Sequence, residues 1–145
     1  MVRRTIVVIL VAPLLGCAPR SPRVPFGPLG DGLDAFLAAH VPAENQSIRV
    51  DEVGRTAGAS YHLVQVRGSE TPHRHVAHDL TVFVLRGRGT LTRGDRRFQL
   101  EAGDAAVIPR GEVHWFAPSG RASAVSLVVF TPALDGPDVV PADVR

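Results

Sequence analysis

From residue 47 to residue 131 the sequence is a succession of short runs rich in Val, Ile, Leu and Phe, at 47–53, 60–67, 80–85, 89–92, 97–100, 105–108, 112–117 and 122–131. Turn formers punctuate them: Gly54, Gly68, Gly94-Asp95, Gly103-Asp104 and Ser119-Gly120. This even spacing predicts an all-β fold, a small antiparallel β-barrel or jelly roll. Gly94-Asp95 suits a two-residue hairpin with glycine first. No internal repeat is visible, and 145 residues suffice for one domain with one sizeable core.

Histidine is concentrated in one place. Three of the six, His73, His75 and His78, fall within six residues. In an extended strand His73 and His75 leave the same face, with Arg74 an outward charge, and their Cα atoms lie about 6.8 Å apart at a rise of ~3.4 Å per residue. Two imidazoles so placed can converge on one metal ion. Asp79 keeps that parity if the strand is regular, whereas His78 joins only if a bulge shifts the register. Downstream, Pro109 and Gly111 suit the second and fourth positions of a turn that launches the strand carrying His114. Phe116 shares the His114 face, and Trp115 takes the other. His40 and His62 read as ordinary satisfied or solvated histidines.

These two stretches resemble the paired motifs of the cupin superfamily. Against G-x5-H-x-H-x3,4-E-x6-G, His73 and His75 match and Asp79 stands in the glutamate position. Gly68 lies one residue too near and Gly87 one too far, so counting back from Gly87 places Leu80 there instead. Against G-x5-P-x-G-x2-H-x3-N, Gly103, Pro109, Gly111 and His114 match, and Pro118 replaces Asn. The resemblance implies a metal site of His73, His75, Asp79 and His114, with His78 the alternative fourth ligand. It also implies one divalent transition metal, drawn from Mn, Fe, Zn, Cu or Ni.

Residues 1–16 read as a signal peptide: Arg3 and Arg4 precede an apolar run at 5–15, too short to span a bilayer. Leu14-Leu15-Gly16-Cys17 resembles the lipobox of bacterial lipoproteins, which implies lipidation of Cys17, the one cysteine of the chain. The expected location is therefore extracytoplasmic, anchored to a bacterial membrane by the N-terminal lipid. Residues 17–44 read as a Pro/Gly-rich tether followed by a short flanking helix, capped by Asp31, with Leu33, Phe36 and Leu37 on one stripe. The barrel is expected over 45–132, and 133–145 reads as a surface tail. All sixteen basic residues are arginine, and removal of Arg3 and Arg4 with the signal leaves fourteen against fourteen acidic residues. A neutral mature chain without a basic aromatic stripe gives no reason to expect a nucleic-acid partner.

Inward ligands with an open coordination position mark a catalytic metal. The resemblance thus implies a metal-dependent oxygenase or isomerase acting on a small organic substrate. Phe116 is the first pocket candidate, and Tyr61, His62, Gln65 and Arg86 are further ones whose orientation the sequence leaves open. The alternative is a non-enzymatic, lipid-anchored binding protein for a metal or small metabolite. A relict site is a third reading, favoured if Leu80 holds the carboxylate position. Barrel edges in this superfamily commonly pair, so a homodimer is compatible with the chain.

Overall fold

The computed structural model describes residues 32–143. The expected signal peptide, Cys17 and the Pro/Gly-rich tether lie outside the described residues. Two five-stranded antiparallel sheets face each other as a jelly roll. The first contains β1 (Ile48–Arg55), β2 (Ser60–Val66), β4 (Asp79–Arg86), β7 (Ala105–Ile108) and β9 (Ala124–Thr131), in the order β1-β2-β9-β4-β7. The second contains β3 (His73–His75), β5 (Arg88–Arg93), β6 (Arg96–Glu101), β8 (His114–Pro118) and β10 (Val139–Pro141), in the order β10-β3-β8-β5-β6. The Gly94-Asp95 turn joins β5 to β6, where Arg93 pairs with Arg96.

The first sheet is covered on both faces, which explains the near-continuous burial of β2. Val64 and Val66 point between the sheets, into a cluster with Leu80, Leu91, Ile108 and Val128. Leu63 points outward and meets Leu33 and Phe36 of the single described helix, α1 (Leu33–Ala39). Burying those two helix residues contributes about 1.5–3 kcal/mol each. The cap position of α1 falls on Gly32, which makes no side-chain cap, and the expected cap Asp31 lies outside the described residues. At the other end the His40 ring stacks on Phe36 with centroids 3.9 Å apart and donates from Nδ1 to the Phe36 carbonyl at 2.9 Å.

Three local expectations are corrected. The turn before β8 spans Pro109 to Glu112, closed by the Glu112 N–H donating to Pro109 O at 3.2 Å. Gly111 is therefore its third residue, where φ of +79° favours glycine. The strand itself begins at His114 rather than Glu112. Finally, the described part of the expected surface tail, 133–143, packs on the barrel: Ala133 and Asp138 are buried, and β10 pairs antiparallel with β3. Pro141, at the end of an edge strand, costs no ladder bond there.

Gly89 on β5 sits where a β-carbon would collide with the Phe116 ring and the Ala117 carbonyl. Gly89→Ala is expected to lower stability by about 1–3 kcal/mol, because a packed wall must shift to admit the methyl group. Urea unfolding checks this, and an unchanged midpoint would show that Phe116 is free to move.

Candidate metal centre

The one register point between β3 and β8 pairs His73 with His114. His75 follows on the same face of β3, and its carbonyl accepts from the Gly111 N–H at 2.6 Å, tying β3 to the turn that launches β8. Potential ligand atoms of His73, His75 and His114 all lie within 4.8 Å of one another. Ring centroids are 4.4 Å apart for His73 and His114, 5.3 Å for His73 and His75, and 5.5 Å for His75 and His114.

The outer ring nitrogens show why the rings converge. His73 Nδ1 donates to Thr71 O at 2.8 Å, and His114 Nδ1 to Glu112 O at 3.0 Å. Each bond fixes a tautomer with the Nε2 lone pair free, the usual support of a metal-bound imidazole. His75 Nδ1 is buried and makes no aligned hydrogen bond, but lies 3.3 Å from the Asp138 carboxylate, so its Nε2 is left for the cavity. Burial pushes the His114 pKa down to about 4, reinforced by His73 and His75 and opposed by the Glu112 carbonyl. Burial likewise lowers His75, with His73 adding to it and Asp138 opposing. Neutral imidazoles with convergent lone pairs suit a divalent transition metal.

Asp138 is the residue that organises this region. Its Oδ1 accepts from the Val76 and Ala77 N–H groups at 3.1 and 2.9 Å, and its Oδ2 accepts from His78 Nδ1 at 2.6 Å. Burial alone would raise its carboxyl, but the His78 and Ala77 hydrogen bonds and the nearby His75 hold it below the ordinary value. The two N–H bonds fasten the bend between β3 and β4, where the chain crosses from one sheet to the other. His78 is thereby committed to Asp138, outside the three-histidine cluster.

The bend also resets the parity on which Asp79 was counted. Asp79 turns outward to Arg110, accepting from its backbone N–H at 2.9 Å and its guanidinium at 2.8 Å, which holds the carboxyl at about 2. Leu80 takes the inward position and lines the cavity. The expected ligand set is corrected accordingly: the structure brings together His73, His75 and His114, and leaves Asp79 and His78 aside.

A cavity of about 260 Å³ extends from the histidines between the sheets. Phe116 lines it as expected. The other pocket candidates do not. Tyr61 and Gln65 lie on the outer face of β2, Tyr61 packing against the helix cluster and Gln65 donating to the His40 carbonyl at 2.7 Å. Arg86 pairs with Asp34 on α1. His62 does point inward, but it donates to or accepts from Ser60 Oγ at 2.8 Å and lies edge-on to Phe130, which also contacts the His75 ring.

Glu70 lines the cavity and went unremarked in the sequence. Its N–H donates to Phe116 O at 2.9 Å, and its carboxylate accepts from Phe116 N–H at 2.8 Å, completing the edge of β8 ahead of the start of β3. Burial pushes its carboxyl up, opposed by the Phe116 N–H and by the charge His73 can carry. A lone glutamate in a loop carries no sequence signal for this. Asp138 lacked one as well, because its partners lie about sixty residues upstream.

A jelly roll with inward histidines from two strands defines a metal-binding β-barrel. The family model for the cupin domain matches residues 60–130, just under half of the chain, and the chain is similar to the cupin superfamily over that stretch. It is 40% identical over 95 residues to an uncharacterized protein of Aquifex aeolicus, covering 66% of this chain and 78% of that one. It is 35% identical over 113 residues to acireductone dioxygenase 1 of Nocardia farcinica, covering 61% of this chain and 55% of that protein. Among solved structures, an uncharacterized double-stranded β-helix protein of Klebsiella pneumoniae superposes with a TM-score of 0.62 at 22% identity, covering 74% of this chain and 94% of that one.

Proposed function

We propose that this chain is a metal-dependent enzyme of the oxygenase or isomerase type acting on a small organic substrate. The observation that carries the reading is the convergence of His73, His75 and His114 at one end of an apolar cavity. Three protein ligands leave room for water or substrate, as catalytic sites require. A bound divalent transition ion would supply Lewis acidity to a ligating oxygen. The three imidazoles would hold it, and Asp138 would keep His75 in orientation. Glu70, a carboxylate in the same cavity, would accept a proton from the substrate's O–H or an adjacent C–H, becoming the carboxylic acid. The aliphatic walls would exclude bulk water. The donor set of three imidazoles without a carboxylate suits zinc, copper or nickel better than the two-histidine, one-carboxylate pattern of iron(II) oxygenases. The likeness to a dioxygenase supports the oxygenase branch.

One observation favours a second reading, a binding or relict module: Leu80, and not a carboxylate, faces the cavity from β4. In either case the apolar run at 5–15 and the Leu14-Leu15-Gly16-Cys17 stretch support export and attachment to a bacterial membrane through Cys17.

Elemental analysis of the natively purified protein beside a His73→Ala, His114→Ala double variant tests the metal centre on which the enzyme reading rests. The expected result is about one equivalent of a single transition metal, lost in the variant. A well-folded wild-type protein that carries no metal and takes up none of the first-row divalent ions would overturn the enzyme reading and leave the relict module.

A further inference from the structure

We propose that the cavity selects an uncharged, hydrocarbon-rich molecule bearing a hydroxyl or enol oxygen at one end, and discriminates against carboxylated, phosphorylated and polyhydroxylated compounds. The inference rests on reading the three histidines as a metal centre and concerns which ligand that centre serves.

Polar groups are gathered at one end of the cavity. There His73, His75 and His114 face it together with Glu70, and Asp138 is already engaged by His78 and two backbone N–H groups. Away from that end the walls are aliphatic or aromatic, typified by Val64, Val82, Leu91, Leu100, Ile108 and Val128. Ser126, on β9 between Val64 and Val84, is the exception.

Among the described residues no arginine lines the cavity, and the chain contains no lysine. Five of the guanidinium groups are engaged outside it: Arg49 on Asp51, Arg55 on Glu52, Arg86 on Asp34, Arg93 on Glu112 and Arg110 on Asp79. A carboxylate or phosphate lying beyond the metal would be stripped of water with no cation to meet it, which is strongly unfavourable. At the metal it would gain from the ion's charge but set a second negative charge beside Glu70, whereas a neutral hydroxyl meets the same ion and can hand its proton to Glu70. A polyol fares little better, since each buried hydroxyl needs a partner and the walls offer almost none. A hydroxyl or enol placed at the histidine end can instead donate to Glu70, whose second oxygen makes no hydrogen bond among the described residues. The hydrocarbon body gains from every apolar surface it removes from water. The volume, about 260 Å³, lies near the lower end of small-molecule sites and suits a compact ligand.

Entry is along one rim. Ile48 and Val50 on β1 and Val139 on β10 line the cavity while remaining 38%, 50% and 57% exposed. A substitution at Val50 therefore changes the chemistry of the mouth without opening the core.

The test uses the full chain, metal-free and loaded with cobalt(II), titrated with 4-ethylphenol, 4-ethylbenzoate and 4-ethylphenyl phosphate. Visible absorption of the cobalt and the shift in Tm are both read. The phenol is expected to bind at least about tenfold more tightly than either anion, a difference of about 1.4 kcal/mol. Val50→Arg, which places a guanidinium on the rim, is expected to shift the preference by about tenfold toward benzoate relative to the phenol, a change typical of a new charge-assisted contact. Benzoate or phosphate binding as tightly as the phenol, or no phenol binding at all, would overturn the selectivity. If cobalt does not bind, the metal reading fails by itself, and Tm shifts of the metal-free protein with the same three probes still decide the class of ligand.

Discussion

Asp138→Ala is expected to weaken metal binding by roughly 10–100-fold and to destabilise the protein by about 3–5 kcal/mol. Both effects come from one buried side chain. Removing the carboxylate leaves the Val76 N–H, the Ala77 N–H and His78 Nδ1 without acceptors, and each buried orphan of this kind costs about 1–3 kcal/mol. It also withdraws the charge facing His75 Nδ1, which favours the tautomer whose Nε2 points to the metal. Asp138→Asn separates the two roles. An amide oxygen can still accept from Val76 and Ala77, keeping the bend, while its NH₂ would oppose the N–H groups of His75 and His78. The Asn variant should therefore retain most of the stability yet lose affinity, by competition against a chelator of known strength. Wild-type affinity in that variant would show that Asp138 serves the fold alone.

The second large effect concerns acid. In the metal-free protein His114 is held at about 4 by burial, and His75 and His62 are lowered by burial too. Between the ordinary histidine pKa, about 6.5, and these folded values the unfolded chain binds more protons than the native one. Stability is therefore complete above about pH 6.5 and falls as pH drops toward 4. The His114 shift alone corresponds to a loss on the order of 3 kcal/mol. A later loss follows below the ordinary carboxylate range, where Asp138 and Asp79, both lowered in the fold, take up protons. Thermal unfolding from pH 8 to pH 3 measures both limbs. Metal should raise Tm at pH 7, and that gain should vanish across the same acid window, because protons compete for the Nε2 lone pairs. A flat Tm from pH 7 to pH 4.5 without metal would mean that the imidazoles are more hydrated than their packing implies.

Much of this architecture was legible from residue order alone. Short β-rich runs between glycine turns announced the antiparallel strands, and 105–108 coincides with β7. The paired motifs around His73, His75 and His114 announced three groups able to converge, and Phe116 followed by strand parity. The expected ligand set failed because parity holds only within an unbroken strand. The bend at Val76 and Ala77 interrupts the count between His75 and Asp79, so Asp79 emerges on the outer surface beside Arg110 and Leu80 turns inward. Tyr61 and Gln65 lie one residue out of phase with the cavity face of β2, and the cover over its outer face buries Gln65 and half-buries Tyr61. Glu70 and Asp138 were invisible because their partners are distant in sequence, and a proline-rich ending disguised β10 as a tail.

The uneven ladders have a dynamic consequence. β2 and β9 are hydrogen-bonded along their lengths to neighbours on both sides, whereas β3 holds three residue pairs with β10 and one with β8. The strand bearing two of the three imidazoles is thus weakly anchored by backbone on its β8 side. Such a segment opens locally at far lower free energy than the domain unfolds. An ion captured by His73, His75 and His114 would cross-link β3 to β8 where the ladder is thinnest. Occupancy of the site would then govern how often the barrel breathes at that seam, making the ion a fastener of the wall as well as an occupant of the cavity.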